Sequence, residues 1–318
     1  MLVISDLGKA ITPTAIALGN FDGVHRGHQC VIAPTIAPSE GLVSTVLTFN
    51  PHPQEFFTGT TRLLLTPIAE KIEQLKALGV QQLVLLPFDR AIAALTPQEF
   101  IEQILIDRLQ ARKISVGFNF RFGCQRCGSV EDLKAMWGDR VNVVSEQLMH
   151  DAGLDRKEGD PQVRISSSAI RSALAQGKVD TAHTLLGRPY SLIGQVVAGQ
   201  QMGRKLGFPT ANLQLHPQKL LPRDGVYAVQ VMNLANEPIA AVMNIGVRPT
   251  VTGDRQRTVE VHLLNWSGDL YGQELCVNLV KFLRPEQKFD SLDALKQQIA
   301  IDCETAASLD SYRLTTIL

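Results

Sequence analysis

Ala15-Ile16-Ala17-Leu18-Gly19-Asn20-Phe21-Asp22-Gly23-Val24-His25-Arg26-Gly27-His28 is the stretch whose reading decides the fold. Ala15 to Leu18 is a short apolar run that reads as a buried strand, and the glycine-containing turn behind it leads into a helix. Ligands of open α/β sheets bind beyond the carboxyl ends of strands, which is where this turn falls. His25 and His28 flank Gly27 at the helix start, where both rings can face a phosphate beside unpaired backbone N–H groups. Such a pair suits the charge that builds on an α-phosphate during nucleotidyl transfer. For the four residues His25 to His28 alone, two surface histidines in a turn are the plainer reading.

Outward from that strand, the first half of the chain alternates short apolar runs with helix-length segments. Leu42 to Phe49, Leu83 to Leu86, Ile114 to Val116 and Val141 to Val144 read as further buried strands. Thr96-Pro97-Gln98-Glu99 sets an N-cap, a first-turn proline and a capping-box acid before the stripe Phe100, Ile101, Ile104, Leu105 and Leu109. Thr66-Pro67 opens another helix, with Ile68, Ile72, Leu75 and Leu78 on one side. This alternation predicts an α/β fold with a doubly wound parallel sheet. His150 to Pro161 is charged and without periodicity, and reads as an exposed loop. Helices are expected over Ala169 to Gln176 and Val179 to Leu186, and Gly187-Arg188-Pro189 ends the helical pattern.

Beyond that break the period changes to two. Tyr227, Val229 and Val231 alternate with Ala228 and Gln230, and a turn over Asn233 to Pro238 leads to a strand at Ile239 to Ile245. Val259, Val261 and Leu263 continue the alternation, and Leu275 to Phe282 is another strand. A final helix carries Leu292, Leu295, Ile299 and Cys303 on one stripe. The expectation is a small antiparallel β-barrel with a terminal helix, and domains over 1–186 and 187–318.

Composition agrees with two globular domains: 318 residues, 45% hydrophobic and 19% charged. Lys plus Arg total 31 and so do Asp plus Glu, so the basic excess of a nucleic-acid binder is missing. No apolar run of about 18 residues offers a membrane span. Met1 to Ala10 has no basic segment followed by an apolar core, so no signal peptide is read. Five cysteines, scattered apart from one pair, fit a reducing compartment. We therefore expect a cytoplasmic enzyme acting on small molecules, a monomer or weak homo-oligomer, with no nucleic-acid or membrane partner.

Three further segments carry chemistry. Ser166, Ser167 and Ser168 sit at a helix start with Arg171 one turn on, a set that can hold triphosphate oxygens or simply cap the helix. Gly199 to Asn212 is glycine-rich and basic without being a Walker A loop. Its Gly203, Arg204, Lys205, Gly207, Thr210 and Asn212 fit a phosphate-binding loop near a metal, or a loop with solvated cations. In Val259-Glu260-Val261-His262-Leu263 the alternation puts Glu260 and His262 on one sheet face, either solvated or turned into the barrel mouth beside that loop. Cys124-Gln125-Arg126-Cys127 has no second pair spaced to complete a zinc site and no thioredoxin-like context. Its thiols read as incidental, with Arg126 as a phosphate contact.

Taken together the motifs resemble those of the nucleotidylyltransferase superfamily and, within it, of the bacterial bifunctional riboflavin kinase/FMN adenylyltransferases. Gly19 to His28, Thr48 to Pro53, Gly117 to Gly123 and Ile165 to Arg171 are similar to the adenylyltransferase motifs. Ser168 stands where the family usually has Thr and keeps the hydroxyl. Gly203 to Asn212, Asp224 to Tyr227, Asn244 to Thr250, Thr258 to Leu263 and Phe282 to Asp302 resemble the kinase motifs in order.

The resemblance implies catalytic roles for His25, His28 and Glu260. It implies ATP contacts from Gly19, Asn20, Phe21, Asp22, Gly23, Ser166, Ser167, Ser168 and Arg171, and flavin contacts from Phe49, Asn50, Pro51, His52, Pro53 and Asn119. In the kinase half it implies Mg²⁺ and ATP phosphates at Thr210 and Asn212, and flavin at Arg284. Riboflavin would be phosphorylated by ATP to FMN, and FMN adenylylated by a second ATP to FAD and pyrophosphate. A nucleotidylyltransferase for another phosphate ester, with a passive barrel, has no use for Gly203 to Asn212 or Glu260. A flavin-binding regulator without turnover would have lost His25, His28 or Glu260. An aminoacyl-tRNA synthetase shares an HxGH-like element, but the neutral charge and the lack of a KMSKS-like segment oppose it.

Overall fold

Strand β2 (Thr14–Leu18) is buried along its whole length and lies inside a six-stranded sheet. Its neighbours are β3 (Val43–Asn50) on one edge and β5 (Ala111–Gly117) on the other. β4 (Gln82–Pro87) pairs with β3, β1 (Leu2–Ile4) with β4, and β6 (Val141–Val144) with β5, every pair parallel. The order β1-β4-β3-β2-β5-β6 is the doubly wound sheet expected, with a switch point between β2 and β5. β1 carried too few residues to be read from the pattern. In this computed structural model the described residues are 1–38, 41–145, 164–199, 203, 206–249 and 255–309. The loop expected over His150 to Pro161 lies outside them.

Alternate side chains of the strands feed two cores. Ile16, Leu18, Leu47, Val84 and Leu86 pack with Phe100, Ile104 and Leu105 on one face. Ala17, Val46 and Leu83 pack with Val31, Ile32 and Leu75 on the other. The capping box forms as expected, with Thr96 N–H donating to Glu99 Oε2 (2.8 Å) and Glu99 N–H to Thr96 Oγ1 (3.2 Å). Beyond Pro97–Glu99 the expected helix winds wider, and Phe100–Arg108 is π-helical, ending with Leu109 N–H donating to Ile104 O at 3.1 Å. Wider winding aligns residues five apart, so Phe100 with Leu105, and Ile104 with Leu109, all reach the core.

Cα proximity divides the chain into units Met1–Ser167 and Ser168–Leu318. The second holds helices Ser167–Ala175, from Ser168 on, and Val179–Leu186, the latter ended by Gly187 in a left-handed conformation (φ 75°). It also holds a closed barrel of β7 (Ser191–Val197), β8 (Ala211–Leu215), β9 (Gly225–Val231), β10 (Ile239–Pro249), β11 (Arg255–Leu263) and β12 (Glu274–Arg284). Its strands pair antiparallel in the closed order β10-β11-β8-β7-β12-β9.

The alternation expected in β9 is absent from its burial. All seven residues are buried, because Val226 and Ala228, on the outer face, pack under Ala306 and Leu309 of the terminal helix Leu292–Leu309. That helix corrects a second expectation in part. Leu292 is 63% exposed, whereas Cys303 of the expected stripe packs inward, joined there by Asp302 and Ala306.

Asp302 is there for Arg284. The guanidinium donates from Nη2 to Oδ2 (2.8 Å) and from Nε to both oxygens (3.1 Å), and Gln298 Nε2 adds a bond to Oδ1 (3.1 Å). With side-chain exposures of 17% and 5%, this pair is shielded from water and ties β12 to the helix. Asp302→Ala leaves a partly buried cation unpaired and should cost about 3 kcal/mol. Arg284→Met with Asp302→Ala should recover most of that loss, since no lone charge remains. Urea unfolding followed by Trp266 fluorescence in a Trp137→Phe background reads this unit alone; an unchanged midpoint for the single variant refutes the coupling.

Candidate active sites

The switch point opens a cleft of about 650 Å³ in the first unit. Its floor is the end of β2 and the turn after it: Leu18, Gly19, Asn20, Phe21 and Asp22. Phe21 takes a left-handed conformation (φ 48°), and its ring lies against Gly19, where a Cβ would meet it at 3.1 Å. Val24 is also left-handed (φ 41°), costly for a β-branched residue and held by its surroundings. Those surroundings are specific. Asp22 Oδ1 accepts from Leu65 N–H (2.8 Å), Gly23 N–H donates to Thr66 Oγ1 (2.9 Å), and Ser167 Oγ donates to Asp22 O (2.8 Å).

Of the two histidines, His28 lines the cleft. His25 is 5% exposed, stacks on His28 at 3.5 Å between centroids, and accepts His28 N–H on Nδ1 (3.2 Å) at the start of helix Arg26–Ile32. Phe49, His52, Pro53, Asn119 and Ser167 line the same cleft, as does Arg126. Gly23, Asn50, Pro51 and Ser166 are not among its lining residues. Ser168 and Arg171 belong to the second unit, on helix Ser167–Ala175. His52 caps helix Pro53–Thr58 by accepting Gln54 N–H on Nδ1 (3.1 Å). Burial first, and then the Arg62 cation, push its pKa down to about 4, so it stays neutral near pH 7.

Several lining residues had no strong signal in the sequence. Phe57 and Phe88 form an aromatic group with Phe49 and Phe56, the Phe49–Phe88 centroids 5.3 Å apart. Arg62 and Arg121 add cations. Lys71 is hidden beneath the floor, its Nζ donating to Asn20 O at 2.8 Å. A lysine four residues before Leu75, inside an apolar helical stripe, was the readable sign of it.

In the second unit, Glu260 pairs across the barrel with Asn244 and with Asn212. Thr210 Oγ1 donates to Glu260 Oε2 at 3.4 Å, so the carboxylate stands beside the Gly203–Asn212 segment. His262, on the same face, bonds Pro209 O through Nδ1 at 2.7 Å. A Cβ on Gly203 would strike Phe208 O at 2.4 Å, which requires glycine there. Gly207 is left-handed (φ 92°), and Asn212 lies over Gly199. Arg204 and Lys205 lie outside the described residues. A second cleft of about 530 Å³ is lined by Pro209, Thr210, Leu263, Trp266, Asp269 and Tyr271 among others. Arg284 has its fork on Asp302, and its guanidinium lies 5.7 Å from the centroid of Phe289.

A switch-point cleft on an all-parallel sheet, with a hydroxyl, an amide and a carboxylate gathered on a closed barrel, is an arrangement that suits group transfer on nucleotides at two centres. Residues 8–155 match the family model for FAD synthetase, and residues 186–309 match that for riboflavin kinase. The chain is 43% identical to the bifunctional riboflavin kinase/FMN adenylyltransferase of Escherichia coli K12 over 92% of its length and 91% of the relative's. It is 38% identical to that of Haemophilus influenzae over 95% and 96%, and 37% to that of Bacillus subtilis over 92% and 91%. The crystal structure of a macrolide-efflux protein from Streptococcus pneumoniae shares the fold, with a TM-score of 0.83, 32% identity, and coverage of 96% of this chain and 98% of that one. The chain belongs to the bifunctional riboflavin kinase/FMN adenylyltransferase family, and is an enzyme with a kinase unit and an adenylyltransferase unit. Among its described residues no helix is long and apolar enough to cross a membrane.

Lys71 is the group to probe beneath the first cleft. Burial pushes its ammonium down to about 8, against the pull of the Asp22 carboxylate. Below that pH it donates as a cation to Asn20 O; above it, the neutral amine is the weaker donor. Lys71→Met should slow adenylylation of supplied FMN about tenfold by loosening the floor, while kinase activity of the same protein holds. The wild-type adenylylation rate should decline as pH rises through about 8, and the variant's profile should be flat there. A wild-type profile level through that range removes the ammonium from the mechanism.

Proposed function

We propose that the barrel unit phosphorylates riboflavin with ATP to give FMN and ADP, and that the sheet unit transfers AMP from a second ATP to FMN, giving FAD and pyrophosphate. The observation that supports this most is that the turn after β2 borders the sheet unit's cleft together with His28, Phe49, His52, Asn119 and Ser167, while Thr210 and Glu260 meet on the barrel. The domain division proposed is 1–186 for the adenylyltransferase and 187–318 for the kinase; the start of the kinase family match at residue 186 supports it, whereas Cα proximity divides the chain between Ser167 and Ser168.

In the kinase, Glu260 accepts the proton of riboflavin's primary hydroxyl as its oxygen bonds the γ-phosphorus of ATP. Thr210 hydroxyl and Asn212 amide oxygen are hard donors that suit Mg²⁺ together with phosphate oxygens, and Glu260 stands within bonding reach of Thr210. When bound, Mg²⁺ neutralises charge on the transferring phosphates. Gly203, Arg204, Lys205 and Gly207 serve those phosphates. Pro209, Leu263, Trp266 and Tyr271 offer an apolar wall contiguous with Thr210 for a ring of the substrates. Arg284, anchored by Asp302, orders the flavin side of this site.

In the adenylyltransferase, an FMN phosphate oxygen attacks the α-phosphorus of ATP and pyrophosphate leaves. His28 donates to the α-phosphate oxygens as charge builds, and the stacked His25 holds that ring in place. Gly19, Asn20, Phe21, Asp22 and Gly23 cradle ATP, with hydroxyls from Ser166, Ser167 and Ser168 and the fork of Arg171 serving its phosphates. Phe49, Asn50, Pro51, His52, Pro53 and Asn119 form the flavin side, where the Phe57–Phe88 group gives the isoalloxazine ring an apolar face. The setting is the cytoplasm, consistent with five cysteines none of which is in a disulfide. The substrates are small molecules, with the protein a monomer or weak homo-oligomer.

Purified protein incubated with riboflavin, ATP and Mg²⁺ should yield FMN and FAD on chromatography; unchanged riboflavin overturns the reading. The two centres should also separate by substitution. His28→Ala should cut FAD formation from supplied FMN about 10²–10³-fold and spare FMN formation. Glu260→Gln should cut riboflavin kinase kcat about 10²–10⁴-fold and spare adenylylation. Paired assays on each variant decide the matter: a kinase kcat unchanged in Glu260→Gln removes that carboxylate from the chemistry, and loss of both activities in one variant signals misfolding.

A further inference from the structure

Cys124 and Cys127, incidental by spacing alone, come together at the lip of the adenylyltransferase cleft. Their sulfurs are 4.0 Å apart, Cys124 half-buried and Cys127 exposed. A tight turn brings them there: Cys127 N–H donates to Cys124 O at 3.1 Å, which keeps the two Cα atoms within about 7 Å, inside disulfide range. Between them Gln125 and Arg126 are both left-handed (φ 52° and 60°), and both line the cleft with Gly123.

The base of this turn is clamped. Phe122 and Gly128 exchange two backbone bonds (3.2 and 2.9 Å), and Cys124 N–H donates to Leu95 O at 2.7 Å. A Cβ on Gly123 would strike Pro97 N at 2.9 Å, so the base has no room to shift. With the base held, the tip that carries Gln125 and Arg126 is the backbone left to adjust as the sulfurs close to a bond of about 2 Å. Among the described residues no group of three or more metal-binding side chains exists to recruit these thiols as ligands. Burial and the neighbouring thiol hold Cys124 above the ordinary thiol range.

We infer that Cys124 and Cys127 are an oxidative modification site, closed to a disulfide by hydroperoxides, and that closure slows adenylyl transfer by displacing Arg126 and Gln125 from the cleft wall. This rests on the reading of that cleft given above. One sulfur, as thiolate, attacks the O–O bond and becomes a sulfenic acid, with an alcohol (or water, from hydrogen peroxide) leaving. The second sulfur displaces water from the first, and the S–S bond closes. The pair gives up two protons and two electrons, and the hydroperoxide takes them to leave an alcohol (or water) and water.

The test uses the full chain and hydrogen peroxide. Peptide mapping should show the Cys124–Cys127 peptide lighter by two hydrogens. Adenylylation of supplied FMN should fall about tenfold, an effect in scale with misplacing a contact by an ångström. The kinase rate should hold, and dithiothreitol should restore adenylylation. Cys124→Ser and Cys127→Ser should each keep adenylylation and ignore peroxide. The inference is overturned if no such disulfide forms, if it forms with adenylylation unchanged, or if Cys127→Ser loses adenylylation to peroxide as the parent does. Reduced protein that makes no FAD would instead defeat the reading of the cleft, and the mapping would still decide the modification site.

Discussion

β2 pairs with β3 on one edge and with β5 on the other, and the first unit is organised around that choice. Helices packed on opposite sheet faces draw the connections after β2 and β5 apart, which opens a gap at their carboxyl ends. Into that gap the chain places the turn after β2 and the segment from Gly117 to Gly123 after β5. The position of the gap is set by strand order, which no single strand encodes. Once it exists, residues from β3, from the helix after it and from the Cys124–Cys127 turn can border the same space.

Charges shielded from water hold both centres in shape. Lys71 under Asn20, and Arg284 on Asp302, are each placed where desolvation works against the ion and specific oxygens work for it. Apolar residues of similar size would pack as well, but would not fix a carbonyl or tie a helix to one strand end. Asp22 does the same for the turn after β2, accepting two backbone N–H groups from Leu65 and Thr66. These residues trade some stability for a defined loop geometry.

The barrel solves its placement problem with register. Val259 and Val261 are buried, and Leu263 is 7% exposed, so the residues between them face the other way. Glu260 and His262 share that face, and the pairing of Glu260 with Asn212 sets it beside Thr210. A slip of one residue would exchange valines for charges and empty the site. Hydrophobic burial therefore fixes which side of the sheet the carboxylate takes, and Thr210 meets it there.

Local chemistry made much of this legible in one chain. The strand before Gly19, the capping box at Thr96 and Glu99, the helix end at Gly187 and the alternation around Glu260 depend on residues within one turn or one strand of each other. So does the sorting of the chain into a sheet half and a barrel half. Tertiary structure alone decided the rest. Lys71 reaches a carbonyl 51 residues away, Arg284 an aspartate 18 residues on, and Phe57 a ring at Phe88. The full burial of β9, the exposure of Leu292 and the arrival of two thiols beside the cleft likewise follow from what packs against each segment. Periodicity tells a residue which face it takes; only the assembled fold supplies what that face meets.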